Sequence, residues 1–433
     1  MCSSNTDRGC RSGLTGRPHT SGNPWTQSST VVGVPPTIDV AAERAATPGC
    51  ALVTHLNNAG AALPTAATLD TMTAHLRLES EMGGYEAETI RWDRVAAVRA
   101  SAATLLGATP DEVAVTGSDT EGFTKALWGF HLGGGLERGR RILVDRLAYD
   151  SHYMGLLQVS DVAGTTIEAV SSTPDGTLDV EALAAALSGG DVALASLTHV
   201  GTHRGLVNPV ADAVRLCREA GATTFVDACQ SIGQLPIDVL AIGCDVLTAT
   251  GRKWLRGPRG TGLVYVRAGF APLLRPIGID GRSATWDAVD HYRFENGAQR
   301  FIPFETPVAV RLGLGTAIDH VLDLGIDAIA VRVGSVAEEL RSLLGAVDGV
   351  AVHDGGRQRC GIVTFTVAGH APDEVAAVAR AVGINVSVTD QPAARLDLGG
   401  DRPTGVVRAS PHYYNTSDEL ARLVEVVSGL TVR

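Results

Sequence analysis

With 433 residues, of which 45% are hydrophobic, the chain has enough apolar material for two or three domains, and a disordered protein is excluded. Its 36 Lys and Arg against 47 Asp and Glu give a net charge of -11, so the summed field repels phosphate polymers and anionic lipid surfaces, and neither nucleic acid nor a membrane is an expected partner. No run of about 18 uncharged apolar residues is present, and the seven cysteines are too scattered for a CxxC pair or a disulfide framework, which points to the reducing cytoplasm.

Residues 1–35, rich in Ser, Thr, Gly and Pro, read as a disordered extension without the apolar centre of a signal peptide. From Leu69 onward, helix-like and strand-like runs alternate. Asp93 to Leu106 has helical spacing, Glu112–Val115 is short and apolar, Thr124 to Leu132 reads helical, and Arg141–Val144 reads as a strand. Val192–Leu197 is another strand, followed by a helix from Pro209 to Ala220 with Asn208 as its cap and Gly221 just beyond its end. Ala222–Val226 and Cys244–Ala249 are the next strand-like runs. This alternation predicts an α/β fold with a mostly parallel sheet and helices on both faces. The pattern changes near Gly325, after which Val331 to Leu344 is helical and Gly361 to Val367 strand-like. The expected division is therefore a large domain over 69–324 and a smaller C-terminal α+β domain over 325–433.

Two of these strands end in residues that carry chemistry. The run Ala222–Val226 delivers Asp227 at its end, and Cys244–Ala249 leads into Thr250-Gly251-Arg252-Lys253, so both groups emerge from one edge of the sheet. A lysine can hold the aldehyde of pyridoxal phosphate as a Schiff base, while a carboxylate keeps the pyridine nitrogen protonated. Taken singly, the Asp is an ordinary turn or cap residue and the Lys a solvated loop charge. The combination makes Lys253 and Asp227 the catalytic candidates and pyridoxal 5'-phosphate the expected cofactor. No metal site is expected. Ser118, Asp119 and Thr120 stand between a short strand and a helix starting near Glu121, where unpaired N–H groups and the helix dipole favour a phosphate, with plain capping as the alternative use.

The ordered motifs Asn57-Asn58-Ala59-Gly60, Ser118-Asp119-Thr120-Glu121, Asp227-Ala228-Cys229-Gln230, Thr250-Gly251-Arg252-Lys253 and Arg408-Ala409-Ser410 resemble those of the class V aminotransferase family, fold type I pyridoxal phosphate enzymes. The resemblance runs from about Leu52 to the C-terminus. Thr198–Pro209 and Gly251–Gly262 are closest to the branch containing hercynylcysteine sulfoxide lyase of ergothioneine biosynthesis, with relatives in lincosamide assembly that act on cysteine S-conjugates. The family implies that 36–68 packs near the small domain and the active site. It implies phosphate contacts from Asp119, Thr120, Thr250 and Arg252, and a hydrogen bond from Gln230 to the phenolic oxygen. The desulfurase run Glu-His-His-Ala-Asn corresponds to Ala148–His152, which makes Tyr149 the candidate to stack on the ring. Thr202 stands where desulfurases place an asparagine near the cofactor. Arg408 matches the clamp for the substrate carboxylate, and Asn58 is expected to line the same pocket. Gly83–Glu86, with Tyr85, and Phe301–Thr306 are expected around the mouth of the site. By the same resemblance the enzyme is a homodimer with its sites at the subunit boundary, where Thr306 reaches the partner's phosphate.

A cysteine desulfurase needs a reactive thiol on a loop shortly before the carboxylate arginine. The segment from Gly361 to Arg433 contains no cysteine; the corresponding loop reads Ser387-Val388-Thr389-Asp390-Gln391-Pro392, and Cys360 precedes an apolar strand. Sulfur transfer onto the protein is not expected. The function predicted is a C–S β-lyase acting on a cysteine S-conjugate, an amino acid, in secondary or low-molecular-weight thiol metabolism. Decarboxylation with oxidative deamination, epimerisation or transamination on the same scaffold is the alternative, since these differ in which Cα bond lies perpendicular to the ring.

Overall fold

The structure, a computed structural model, describes residues 37–431. The extension expected over 1–35 lies outside the described residues. The short apolar runs become the strands β1 Val113–Thr116, β2 Arg141–Val144, β3 Thr166–Ala169, β4 Val192–Thr198, β5 Thr223–Asp227, β6 Val246–Thr250 and β7 Gly262–Val266. They form one seven-stranded sheet in the order β1-β7-β6-β5-β4-β2-β3. The pairs from β6 to β3 are parallel, and β7 alone runs against both its neighbours. Adjacent residues of one strand enter opposite cores: Leu143, Val226 and Leu247 face one, and Ile142, Phe225 and Val246 the other. Two covered faces explain why β4 and β6 are buried along their whole length and read as continuous apolar runs.

The helices include α1 Ala66–Met82, α2 Gly84–Ile90, α3 Trp92–Leu106, α4 Asp119–Leu132, α5 Asp150–Ala163 and α6 Val210–Glu219, of which α3 to α6 pack on the sheet. Two boundaries differ from the sequence reading. Helix α4 begins at Asp119 rather than near Glu121, because the Ser118 hydroxyl accepts the Glu121 N–H at 3.0 Å and caps the first turn. Asn208 does not cap α6, whose N-cap is Pro209 with no side-chain bond. The Asn208 amide instead accepts the Leu178 N–H and donates to the Thr198 carbonyl, both at 2.8 Å, tying two loops together.

Beyond α7 Val308–Leu324, helix α8 Ile326–Gly345 leads into a second, wholly antiparallel sheet of β8 Val350–Val352, β9 Val363–Val367, β10 Ser387–Asp390 and β11 Gly405–Ala409, ordered β8-β9-β11-β10. With α9 Pro372–Ala381 and α10 Ser417–Thr431 it encloses its own core around Leu340, Phe365, Val407 and Leu423. The segment expected to be a loop at Ser387–Asp390 is therefore a strand, held by its register against β11. Ile329, Val333, Cys360 and Ile362 pack into the core of the first sheet, so the two sheets share apolar contact across Gly325. Thr54–His55 pairs in parallel with Ile384–Asn385, carrying the N-terminal segment onto the C-terminal part.

Candidate active site

The β6–β7 connection sets the site. Gly251 N–H donates to the Thr261 carbonyl at 3.1 Å and Gly257 N–H to the Gly251 carbonyl at 2.8 Å, closing the loop on itself. Trp254 and Leu255 bury their side chains in the core, and the Trp254 indole N–H donates to the Gln230 side-chain oxygen at 3.0 Å. Arg256 takes a left-handed backbone at φ 60° and is fully buried. Its guanidinium lies over the rings of Tyr413 and Tyr414 at 5.3 and 4.7 Å. It also donates to the Leu63 carbonyl and to Thr47, and pairs with Glu43 at 3.4 Å. These anchors leave Lys253 turned the other way, into a cavity of about 170 Å³.

Opposite Lys253, the cavity is walled by Ser118, Asp119 and Thr120 at the start of α4, by Tyr149 and by Cys229; Thr250, Arg252, Arg259 and Thr261 complete the loop side. The backbone N–H groups of Asp119 and Thr120 sit in the first turn, where an α-helix offers no partner. Gly262 brings β7 against this turn: a Cβ there would fall 2.6 Å from Asp119 N, so only glycine permits the approach. Lys253 Nζ lies 5.8 Å from the centre of the Tyr149 ring. Burial pushes its pKa below the ordinary lysine value, with Arg252 and Arg408 adding to the effect and Cys229 and Asp227 opposing it.

Asp227, at the end of β5, is 8% exposed, and one of its carboxylate oxygens accepts the Cys229 N–H at 2.8 Å. The other lies 3.7 Å from His152 Nδ1, while His152 Nε2 is 2.8 Å from Asp119. Burial and the nearby Asp119 charge push Asp227 upward, against the pull of His152. For Asp119, burial acts upward too, but the His152 charge and hydrogen bond outweigh it and take the carboxyl down to about 2.

Three distant segments meet at Arg408. Arg408 on β11 is buried; it donates to the Thr202 carbonyl at 2.9 Å, to the Thr202 hydroxyl at 3.1 Å and to the Asn57 side-chain oxygen at 3.4 Å. Its Nε has no hydrogen-bond partner. Burial, then the Arg252 charge, lower its pKa to about 10, which leaves a cation at neutral pH.

Several expectations shift by one residue or one role. Asn58 is fully buried with its amide donating to the Ser410 carbonyl at 2.7 Å and its oxygen accepting from Tyr414, so its neighbour Asn57 is the one that meets Arg408. Gln230 is likewise committed to Trp254 and to the Ala59 carbonyl, and does not line the cavity. The Asp119 carboxylate is taken by His152, which leaves its backbone N–H, not its side chain, for an anion. Tyr85 is 69% exposed on α2, edge-on to Phe304, and neither it nor the half-buried Thr306 lines the cavity of the single chain. Arg259 and His152 escaped the sequence reading. A helical residue three after Tyr149 shares its face, and Arg259 lies in the same glycine-bounded loop as Lys253, so both signals were present.

The class-V aminotransferase family profile matches residues 54–423. The chain belongs to the class-V aminotransferases. It is 30% identical to a probable cysteine desulfurase of Xylella fastidiosa over 328 residues, covering 76% of this chain and 78% of that protein. It is also 30% identical to a probable hercynylcysteine sulfoxide lyase of Mycobacterium tuberculosis over 382 residues, covering 87% and 90%. Among solved structures, a C-DES lysine-to-alanine variant with glycine covalently linked to its PLP cofactor superposes with a TM-score of 0.81 at 22% identity, covering 89% of this chain and 98% of that one. This class-V aminotransferase is a pyridoxal phosphate enzyme, and its cavity fits the group: unpaired N–H donors of α4 with Arg252 and Arg259 suit the phosphate and Lys253 the aldehyde, while Asp227, within 4.8 Å of Asp119 and Cys229 on the cavity wall, suits the ring nitrogen.

Proposed function

We propose that this enzyme is a C–S β-lyase that converts a cysteine S-conjugate and water into a thiol, or a sulfenate from a sulfoxide, with pyruvate and ammonia. The observation that carries the reading is Lys253 in a cavity walled by Asp119 and Cys229, with the Asp227 carboxylate within 4.8 Å of both and Arg408 buried, in a chain whose segment after Cys360 holds no thiol. Cys360 itself is buried and its thiol is pushed up by burial to about 12, so it supplies no thiolate nucleophile. The site residues divide the work. Arg408 binds the substrate carboxylate, with Thr202 and Asn57 fixing the guanidinium plane. Tyr149 covers one face of the ring. Lys253, its pKa lowered first by burial, accepts the Cα proton. Asp227 holds a proton on the ring nitrogen, and the bound cofactor supplies the electron sink for the Cα pair. That pair closes the Cα–Cβ double bond as the Cβ–S pair leaves with sulfur.

The active form is proposed to be a homodimer in the cytoplasm. Support comes from exposed apolar side chains along α1 to α3, among them Leu69, Leu76, Met82, Ile90 and Trp92, which a second copy would cover. Thr306 is assigned to the partner's phosphate and Tyr85 to the mouth of the substrate channel. Among the described residues no helix is long and apolar enough to cross a membrane. Ergothioneine or lincosamide assembly is the proposed setting, supported by the identity to the sulfoxide lyase.

Purified enzyme incubated with S-alkyl cysteines and their sulfoxides should release pyruvate and the sulfur product in equal amounts, and Lys253→Ala should abolish both. Carbon dioxide with an aldehyde product, and no pyruvate, would replace the β-lyase reading by oxidative decarboxylation.

A further inference from the structure

Asp119, 4% exposed on the cavity wall, has the Asp227 carboxylate within 4.8 Å, itself 8% exposed, and Asp145 at 1% exposure is a third buried acid. Asp145 follows β2, accepts the Leu147 N–H and the Thr198 N–H, and is lifted by burial to about 7, with Asp227 contributing to the rise. The imidazole between Asp119 and Asp227 belongs to His152, three residues after Tyr149 on α5. It is 2% exposed and stacks on Phe123 with ring centres 3.8 Å apart and planes 9° from parallel, so its plane is fixed. In that plane Nε2 meets Asp119 at 2.8 Å and Nδ1 points towards Asp227 at 3.7 Å.

A neutral imidazole carries one N–H and one lone pair. Set between two carboxylates, its lone pair would face an anionic oxygen, whereas the cation donates at both ends. The charged groups around the ring agree: burial lowers its pKa and Lys253 opposes the positive charge, but Asp119 and Asp227 outweigh them and the net shift is upward. Where the desulfurase run carries a neutral asparagine, this chain places an ionisable imidazole against the Asp119 carboxylate.

We propose that Asp119 and His152 form a positioning pair that keeps Asp227 in its carboxylate form and aimed at the ring nitrogen of the cofactor, an inference that rests on Asp227 being the ring acid. Without the His152 charge, burial and the Asp119 charge push Asp227 towards its neutral acid, which cannot hold a proton on the ring. The same contact turns the Asp119 carboxylate away from the phosphate end. An acidic residue can thus occupy the first turn of α4 with its carboxylate engaged by His152 rather than free to repel the phosphate.

The test compares wild-type, His152→Asn, Asp119→Asn and Asp227→Asn holoenzymes by visible absorbance against pH, by cofactor release on dilution, and by kcat and KM. Both pair variants should move the pH midpoint of the visible band, release cofactor faster and lose about ten- to hundredfold in kcat with little change in KM, the scale of one charge-assisted hydrogen bond. If Asp227→Asn is impaired while both pair variants keep the wild-type band and kcat, the pair is only structural and the proposal is overturned. If Asp227→Asn itself behaves as wild type, the ring-acid assignment fails first. Nitrogen NMR of His152 in the unmodified holoenzyme tests the pair without substitution: both ring nitrogens should be protonated at pH 8, and a neutral tautomer would refute it.

Discussion

The Lys253 ammonium stands 5.8 Å from the centre of the Tyr149 ring, across the cavity and with no hydrogen bond or ion pair of its own among the described residues. A flat heterocycle joined to Lys253 has the tyrosine as its cover on one face, and an aromatic stack contributes about 0.5–1.5 kcal/mol beyond buried area. Tyr149→Phe should keep the cofactor, whereas Tyr149→Ala should weaken its binding by about tenfold. Equilibrium titration of the apoprotein with pyridoxal phosphate, followed by absorbance, measures both; equal affinity in the two variants would remove the stacking role.

Arg408→Lys keeps the charge but loses the planar fork. KM for an S-alkyl cysteine should rise about ten- to hundredfold with a smaller change in kcat, because one bidentate, charge-assisted contact is given up. The decarboxylated analogue should bind wild type and variant alike. A variant that discriminates as well as the wild type would show that the carboxylate sits elsewhere.

Gly262→Ala probes the contact between β7 and the first turn of α4. The added methyl meets the backbone of Ser118 and Asp119, which has no rotamer to yield, so β7 and the helix must part. Overpacking of this kind costs about 1–3 kcal/mol, read from urea denaturation, and phosphate-dependent cofactor binding should weaken with it. Gly260→Ala, where nothing lies within reach of the added atom although φ is +82°, separates backbone strain from collision.

His203 predicts a pH dependence of stability. Burial first, then Arg204, Arg408 and Arg402, lower its pKa to about 3, so it is neutral in the fold while the unfolded chain protonates near 6.5. Between those values the unfolded state binds the extra proton, so stability falls as pH falls through 6.5 and continues to fall towards 3. His203→Asn, which can still donate to Asp397, should flatten the slope of unfolding free energy between pH 6 and 4 by up to about 1.4 kcal/mol per pH unit. An unchanged slope would mean that His203 takes up its proton in the native state.

The sequence announced what depends on local pattern and hid what depends on distant contact. Strands β4, β5 and β6 were legible because burial on both faces demands unbroken apolar runs, and they place Asp227 and Lys253 on one edge. Strand β10 was not, since Ser387-Val388-Thr389-Asp390 is an edge strand with polar residues and owes its form to pairing with β11. Asn57 and Asn58 are interchangeable on paper; which faces Arg408 is decided by the turn of a backbone bridged to Ser410. Gln230 is drawn off by Trp254, a partner that only the closed loop brings near.

Arg256 also bears on where the protein can be cut. Three residues past the lysine, its cation is neutralised by Glu43 and steadied by Thr47 and Leu63, all well upstream in the chain. Shortening the chain from its beginning would spare every group around the cofactor. It would nevertheless strand an enclosed guanidinium without its anion, a change of about 3–5 kcal/mol, directly beneath the catalytic turn. The early residues are in this sense the foundation of a lysine some two hundred positions away.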